Sequence, residues 1–199
     1  GRMAGKPQKR LPAPFRFKSQ KNFSFACAFP FLNRLKGVTL QRGERMDKEF
    51  FIREIEAHSG LLYRVAYTIL RNEHACEDAL QDTALKAWEK RSSLREDKYF
   101  RTWITRILIN TCYDTQRKRR RIVLFDEIPE PSVPPPDLTM AMVLRSLPEK
   151  LRLPLVLFYS EGMSYEEIAQ TLRIPLTTVR GRIRRAKGEL RKELGEHEA

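Results

Sequence analysis

The stretch Ser164-Tyr-Glu-Glu-Ile-Ala-Gln-Thr-Leu-Arg-Ile-Pro-Leu-Thr-Thr-Val-Arg-Gly-Arg-Ile-Arg-Arg185 decides the fold. Ser164 and Glu167 have the Ser-x-x-Glu form of a capping box, in which the serine oxygen accepts from a free helical amide and the glutamate reaches back to the cap's own N–H. A helix therefore starts at Ser164, and Ile168, Ala169 and Leu172 give it a buried side. Arg173-Ile174-Pro175 is a turn, because proline stops the first helix and Ile174 can plug the gap between two helices. A second helix starts at Thr177 or Thr178 and turns Val179, Ile183, Ala186 and Leu190 inward. With a small alanine where the helices cross, this spacing predicts a helix-turn-helix. The outer face of the second helix carries Arg180, Arg182, Arg184, Arg185 and Lys187. Such side chains address phosphates, and arginine also reads guanine in the major groove. A charge run alone is usually a solvated face; joined to this spacing it points to duplex DNA.

Outward from that motif, helical periodicity runs back through Phe158, Val156, Leu155, Leu151, Leu147 and Leu144 to about Leu138. Pro148 falls at a helix start, and Pro154 in or near the first turn of a further helix, with a kink as the alternative. Residues 122–137 change character: Pro129, Pro131, Pro134, Pro135 and Pro136 alternate with Asp126, Glu127, Glu130 and Asp137. Such a segment cannot be helical and reads as an extended, flexible, acidic linker. Before it, Tyr99, Phe100, Trp103, Ile104, Ile107, Leu108 and Thr111 step along one stripe of a helix that ends in Arg117-Lys118-Arg119-Arg120-Arg121. Residues 89–98 lack an apolar period and form a polar loop. A helix from Glu73 to Trp88 puts Ala79, Leu80, Thr83, Ala84, Ala87 and Trp88 on one side and Glu77, Asp78, Gln81 and Asp82 on an acidic one. Leu61, Leu62, Val65, Ala66, Ile69 and Leu70 mark the helix before it, broken at Arg71-Asn72. The fold class is all-α: two small helical domains, 46–121 and 138–199, joined by the linker 122–137, the second a helix-turn-helix.

Charge has to be read locally. The chain of 199 residues has a formal net charge of +13, but residues 1–45 hold 11 of the 38 Lys and Arg and one of the 25 Asp and Glu. That leaves 27 basic and 24 acidic residues for 46–199, a net of +3. Residues 1–45 have no helical or strand period and contain Pro7, Pro12, Pro14 and Pro30, so disorder is expected. Phe23–Leu32 after basic residues imitates a secretion signal but lacks a clear small-residue cleavage site. Met46 is the more economical natural start, since Arg42-Gly43-Glu44 is compatible with a purine-rich ribosome-binding stretch; 1–45 would then be a leader or a mis-assigned start. Cys27, Cys76 and Cys112 are too few and too scattered for a disulfide framework and suit a reducing compartment. His74 and Cys76 form a lone pair with no second ligand pair at zinc spacing, so no metal is expected. No run approaches the roughly 20 apolar residues of a membrane span, so no membrane insertion is expected.

Each remaining signal has a plainer reading beside it. Trp103 and Phe100 at helical spacing are core residues first, and stacking platforms for unpaired bases only if an edge stays exposed. The run 117–121 would favour a helix C-terminus whatever it binds. The acidic face around Asp78 and Asp82 could serve solubility alone.

Taken in order, three segments resemble the extracytoplasmic-function (ECF) group of bacterial sigma factors in the sigma-70 family, and the resemblance covers Glu49 to Leu194. Glu77-Asp-Ala-Leu-Gln-Asp-Thr-Ala-Leu-Lys-Ala-Trp88 is similar to the family's core-polymerase-binding segment. Phe100-Arg-Thr-Trp-Ile-Thr-Arg-Ile-Leu-Ile-Asn-Thr-Cys-Tyr-Asp114 with the basic run is similar to its promoter-melting segment, and Met163–Ala186 to its upstream helix-turn-helix. The resemblance implies that Asp78, Gln81, Asp82 and Lys86 dock on core RNA polymerase. Trp103, Arg106, Asn110, Asp114, Arg117, Lys118 and Arg119 would meet the minus-10 element, with loop 89–98 capturing a base turned out of the stack. Thr177, Thr178, Arg180, Gly181, Arg184 and Arg185 would meet the minus-35 element. It further implies promoter DNA and an anti-sigma factor as partners, a cytoplasmic location, no cofactor, no catalytic residue and no enzymatic activity. Arg173 departs from the glycine that many helix-turn-helix turns carry, and the first 45 residues have no counterpart in the family. A regulator with a receiver domain is the rival, but 47–121 shows no strand alternation and no Gly-rich phosphate loop. A nuclease would need a metal-binding constellation that those acids do not form.

Overall fold

A computed structural model describes residues 46–122, 144 and 146–197. The expected leader 1–45 and nearly all of the expected linker lie outside them. The described residues form six helices and no strand: α1 (Lys48–Leu70), α2 (Glu73–Glu89), α3 (Phe100–Ile122), α4 (Glu149–Tyr159), α5 (Tyr165–Leu172) and α6 (Leu176–His197).

The helix ends are set by short polar side chains. Asp47 caps α1 by accepting from the Phe50 amide at 2.6 Å, and Asn72 caps α2 by accepting from the Ala75 amide at 2.9 Å. Both satisfy amides that a helix start leaves without a partner. Arg71 ends α1 in the left-handed region (φ 54°), which makes the break expected at Arg71-Asn72. The polar loop is two 3-10 turns, Arg91–Ser93 and Asp97–Tyr99.

One expectation is corrected. Pro154 does not open a further helix; it lies inside α4, well past its start at Glu149. Its ring leaves the carbonyl four residues back, at Lys150, without a helical partner, and the apolar packing of Leu151, Leu153, Leu155 and Leu157 carries the helix through. Tyr99 is likewise not in the apolar stripe: it is 43% exposed, on a 3-10 turn before α3 begins.

In the first half, Phe51 of α1 meets Trp88 of α2 edge-on at 5.1 Å and Phe100 of α3 at 6.2 Å. In the second, Val179, Ile183, Ala186 and Leu190 of α6 turn inward towards α4 and α5. The halves also pack on each other, α1 against α4 and α3 against α5, within one continuous apolar cluster. Polar groups lock this junction. Arg64 of α1 donates to both Glu161 carboxylate oxygens, each at 2.7 Å, and the Glu161 side chain is only 2% exposed. Arg101 of α3 donates to the Glu161 carbonyl. Buried Arg152 of α4 donates to the Leu147 carbonyl at 3.1 Å and to the Thr68 carbonyl of α1 at 3.0 Å. Desolvation, then the charge of Arg71, pushes its pKa down to about 10, so it stays charged at neutral pH.

Two stability predictions follow from this construction. Glu161→Gln should lower the unfolding free energy in urea by about 2 kcal/mol, the low end for a buried charged pair because Arg64 is 31% exposed. Arg64→Met should not add to that loss, and an additive double-mutant cycle would show that the pair is not coupled. Ser164→Ala should cost about 1 kcal/mol and Ser164→Asp much less, read from thermal midpoints.

Candidate nucleic-acid and polymerase interfaces

The helix-turn-helix forms as its residues require. Ser164 Oγ accepts from the Glu167 amide at 3.1 Å and the Glu167 carboxylate accepts from the Ser164 amide at 2.7 Å, closing the capping box. Arg173 caps α5 in the left-handed region, φ 52°, which is why many such turns carry glycine there. Ile174 is half-buried between the helices, and α6 starts at Leu176, just before the threonines.

Thr177, Arg180, Gly181, Arg184 and Arg185 are exposed on α6, and Thr178 is half-buried. Among the described residues Arg180, Arg184 and Arg185 form no ion pair. Arg180 leans over the Tyr165 ring at 5.9 Å, and Lys187 over Tyr159 at 5.1 Å. A Cβ added at Gly181 would meet nothing within 4 Å. Packing therefore does not demand that glycine, and it leaves the helix face flat between its arginines.

On α3, Arg106, Asn110, Asp114 and Arg117 recur every three or four residues and so share a stripe. Asp114, Arg117, Lys118 and Arg119 are exposed, with Arg117 and Asp114 paired at 3.1 Å. Trp103 is buried, its indole N–H donating to Ser93 Oγ at 3.1 Å, and Phe100 is buried beside it. The exposed aromatic is instead Tyr99, with the Lys98 ammonium 4.9 Å from its ring centre. Its place at the mouth of the polar loop is a signal that helical spacing hid. Arg106 is half-buried in a cleft against the second half, and Asn110 lines the same cleft while staying exposed.

On α2, Asp78 and Asp82 are exposed and Gln81 half-buried, while Lys86 turns towards α3 and donates to Thr111 Oγ1 at 3.2 Å. Leu85 lies on the same exposed side, one turn after Gln81, and is 38% exposed. The sequence reading passed over it, although its absence from the buried stripe of α2 was the available signal. Below this face Cys76 is buried, and burial pushes its thiol up to about 12, whereas His74 is exposed beside Glu77. The two cannot share a metal ion.

Comparison with known proteins adds the family. Residues 55–122 match the family model for sigma-70 region 2, and residues 138–190 that for sigma-70 region 4. The ECF RNA polymerase sigma-E factor of Salmonella typhimurium is 34% identical over 131 residues, covering 55% of this chain and 69% of that protein. The ECF sigma factor SigE of Mycolicibacterium smegmatis is 32% identical over 157 residues, 72% of this chain and 61% of that protein. Bacillus subtilis SigW is 27% identical over 176 residues, 78% and 94%. Among solved structures, the sigma factor RpoE in complex with the anti-sigma factor NepR from Bartonella quintana aligns with a TM-score of 0.63 at 26% identity, covering 73% of this chain and 96% of that one. CnrH in complex with the cytosolic domain of CnrY aligns at 0.60 and 27% identity, covering 85% and 98%. With both sigma-70 regions matched in order on an all-helical fold, the chain belongs to the ECF group of the sigma-70 family, the RNA polymerase sigma factors that direct promoter-specific transcription initiation.

Proposed function

We propose that this chain binds core RNA polymerase and gives it promoter recognition and strand opening, with the work divided along the chain as 46–121, 122–137 and 138–199. What carries this reading is the row of unpaired arginines, Arg180, Arg184 and Arg185, on the exposed face of a capped helix-turn-helix. In the same chain α2 offers a face of opposite character. Asp78, Gln81, Asp82 and Lys86 would supply polar complementarity to the polymerase, and Leu85 would supply an apolar anchor inside that polar rim. Asn110, Asp114, Arg117, Lys118 and Arg119, with Arg106 and Trp103, would form the minus-10 surface. Tyr99 and the loop 89–98 would receive an unstacked base, since base–aromatic stacking is tolerant of sequence and suits an exposed ring. Thr177, Thr178, Arg180, Gly181, Arg184 and Arg185 would lie along the minus-35 groove, where the missing side chain at Gly181 permits close approach.

An anti-sigma factor would compete for these faces; the Bartonella quintana sigma factor RpoE forms a complex with one, NepR. No helix among the described residues is long and apolar enough to cross a membrane, and a cytoplasmic location follows from the need to meet polymerase. The chain acts by binding, without chemistry of its own.

Run-off transcription with purified core polymerase and the promoter of the chain's own operon is the direct test. Initiation should depend on this chain, and failure with a core shown active by another sigma factor would overturn the proposal. Arg184→Ala and Arg185→Ala should each weaken promoter use by about 1–3 kcal/mol while core binding is unchanged. Unchanged promoter use would remove both residues from the minus-35 surface.

A further inference from the structure

Between the halves lies a cleft of about 170 Å3 that neither polymerase docking nor minus-35 reading uses. Its lining includes Arg106 and Asn110 of α3, Lys150 of α4, Thr171 of α5, the cap residue Arg173 and Arg182 of α6. Four of these six are cations, converging from separate elements, and among the described residues none of the four forms an ion pair. Arg106 is held below its ordinary pKa, first by desolvation and then by the like charge of Arg173. The acid in the lining, Glu149, stands close enough to Tyr113 for its charge to help burial hold the Tyr113 pKa up.

An independent observation comes from the threonines. Thr68, Thr83 and Thr105 each donate to the carbonyl four residues back, at 2.8, 2.6 and 2.7 Å, the usual resort of a helical hydroxyl. Thr171 is also helical and is 2% exposed, yet its Oγ1 has no hydrogen-bond partner. A buried hydroxyl without a partner, on the wall of a cleft crowded with like charges, is destabilising in two ways that one anion would relieve.

We propose that this cleft is an anion site, suited to a diphosphate group. Guanidinium forks match phosphate oxygens in pairs, and two linked tetrahedra offer enough acceptors for Arg106, Arg173, Arg182 and Lys150 together, where a single carboxylate does not. The site has walls from both halves, so occupancy holds them closed. The consequence of closure rests on the sigma-factor reading. Minus-10 and minus-35 elements are named roughly 25 base pairs apart, about 85 Å of duplex, whereas a compact body of this many residues is about 40 Å across. The packed chain therefore cannot read both elements, and Arg106 is half-buried in the cleft. A bound diphosphate favours this closed form over the open one that a promoter needs.

The test is titration of the full chain with inorganic pyrophosphate at constant ionic strength, by calorimetry and thermal midpoint, with sulfate as the generic anion. Adenosine diphosphate in a parallel arm separates a free diphosphate from one carried on a nucleotide. Saturable binding tighter than that of sulfate is expected, together with a raised midpoint. Lys150→Gln combined with Arg173→Gln should weaken it tenfold or more, while Lys118→Gln combined with Arg119→Gln should leave it unchanged. Thr171→Val, which removes only the hydroxyl, should weaken it severalfold, and this holds even if the double variant does not fold. No saturable binding, binding no tighter than sulfate, or equal loss in both double variants would overturn the site. Displacement by a short duplex with the same sensitivity to Lys150 and Arg173 would overturn it in favour of a DNA-backbone contact. None of these measurements needs polymerase, so their failure is distinct from a failure of run-off initiation.

Discussion

A carboxylate taken out of water is tolerated in a protein only when charge and hydrogen bonds replace the solvent it lost. Glu161, in the loop between α4 and α5, is such a carboxylate, and both its oxygens are held by the Arg64 fork. The arrangement of the two halves depends on that pair. Arg64 and Thr68 lie one turn apart on α1, so the same helix edge that clasps Glu161 also offers its Thr68 carbonyl to Arg152. Arg101 fixes the Glu161 backbone from α3. Three arginines thus tie the helix-turn-helix half to the first half by directional bonds at the margin of a continuous apolar cluster. Apolar packing supplies adhesion without much angular preference; the forks set the register.

That register decides which charges are free and which are confined. The basic end of α3 and the outer face of α6 stay in solvent, where their long side chains can find phosphates. Arg106 is instead half-buried in a cleft that exposed Arg173 also lines. The same side-chain type therefore serves as structural fork, solvent-exposed charge and cleft-lining cation, according to what packs beside it. Net charge says nothing of this: residues 46–199 are only slightly basic.

Much of the fold was legible in the chain alone. The capping box at Ser164, the stop at Arg173-Ile174-Pro175 and the break at Arg71-Asn72 are local effects, set by hydrogen bonds and backbone sterics within a few residues. They came out where the sequence put them. Periodicity also marked Val179, Ile183, Ala186 and Leu190 as buried, and left Arg180, Arg184 and Arg185 outside. Leu85 and Tyr99 were harder. A leucine outside the buried stripe of its helix is easily passed over and a tyrosine adjoining an apolar stripe is assigned to the core by default; only the neighbours they lack show that they face solvent. Pro154 was misplaced because proline disfavours a helix interior locally, a preference that the leucines around it override.

The sequence by itself determined the helices, their caps, the helix-turn-helix and the faces each helix would bury or show, because these follow from spacing and short-range bonding. Tertiary structure alone decided that the halves lie against each other, that Glu161 meets Arg64 across 97 positions of chain, and that Arg106 shares a cleft with Arg173. Periodicity identifies an apolar face but not the element that covers it, and charge identity does not reveal which distant side chain will stand within 3 Å. Those choices are made by the packing of all six helices at once.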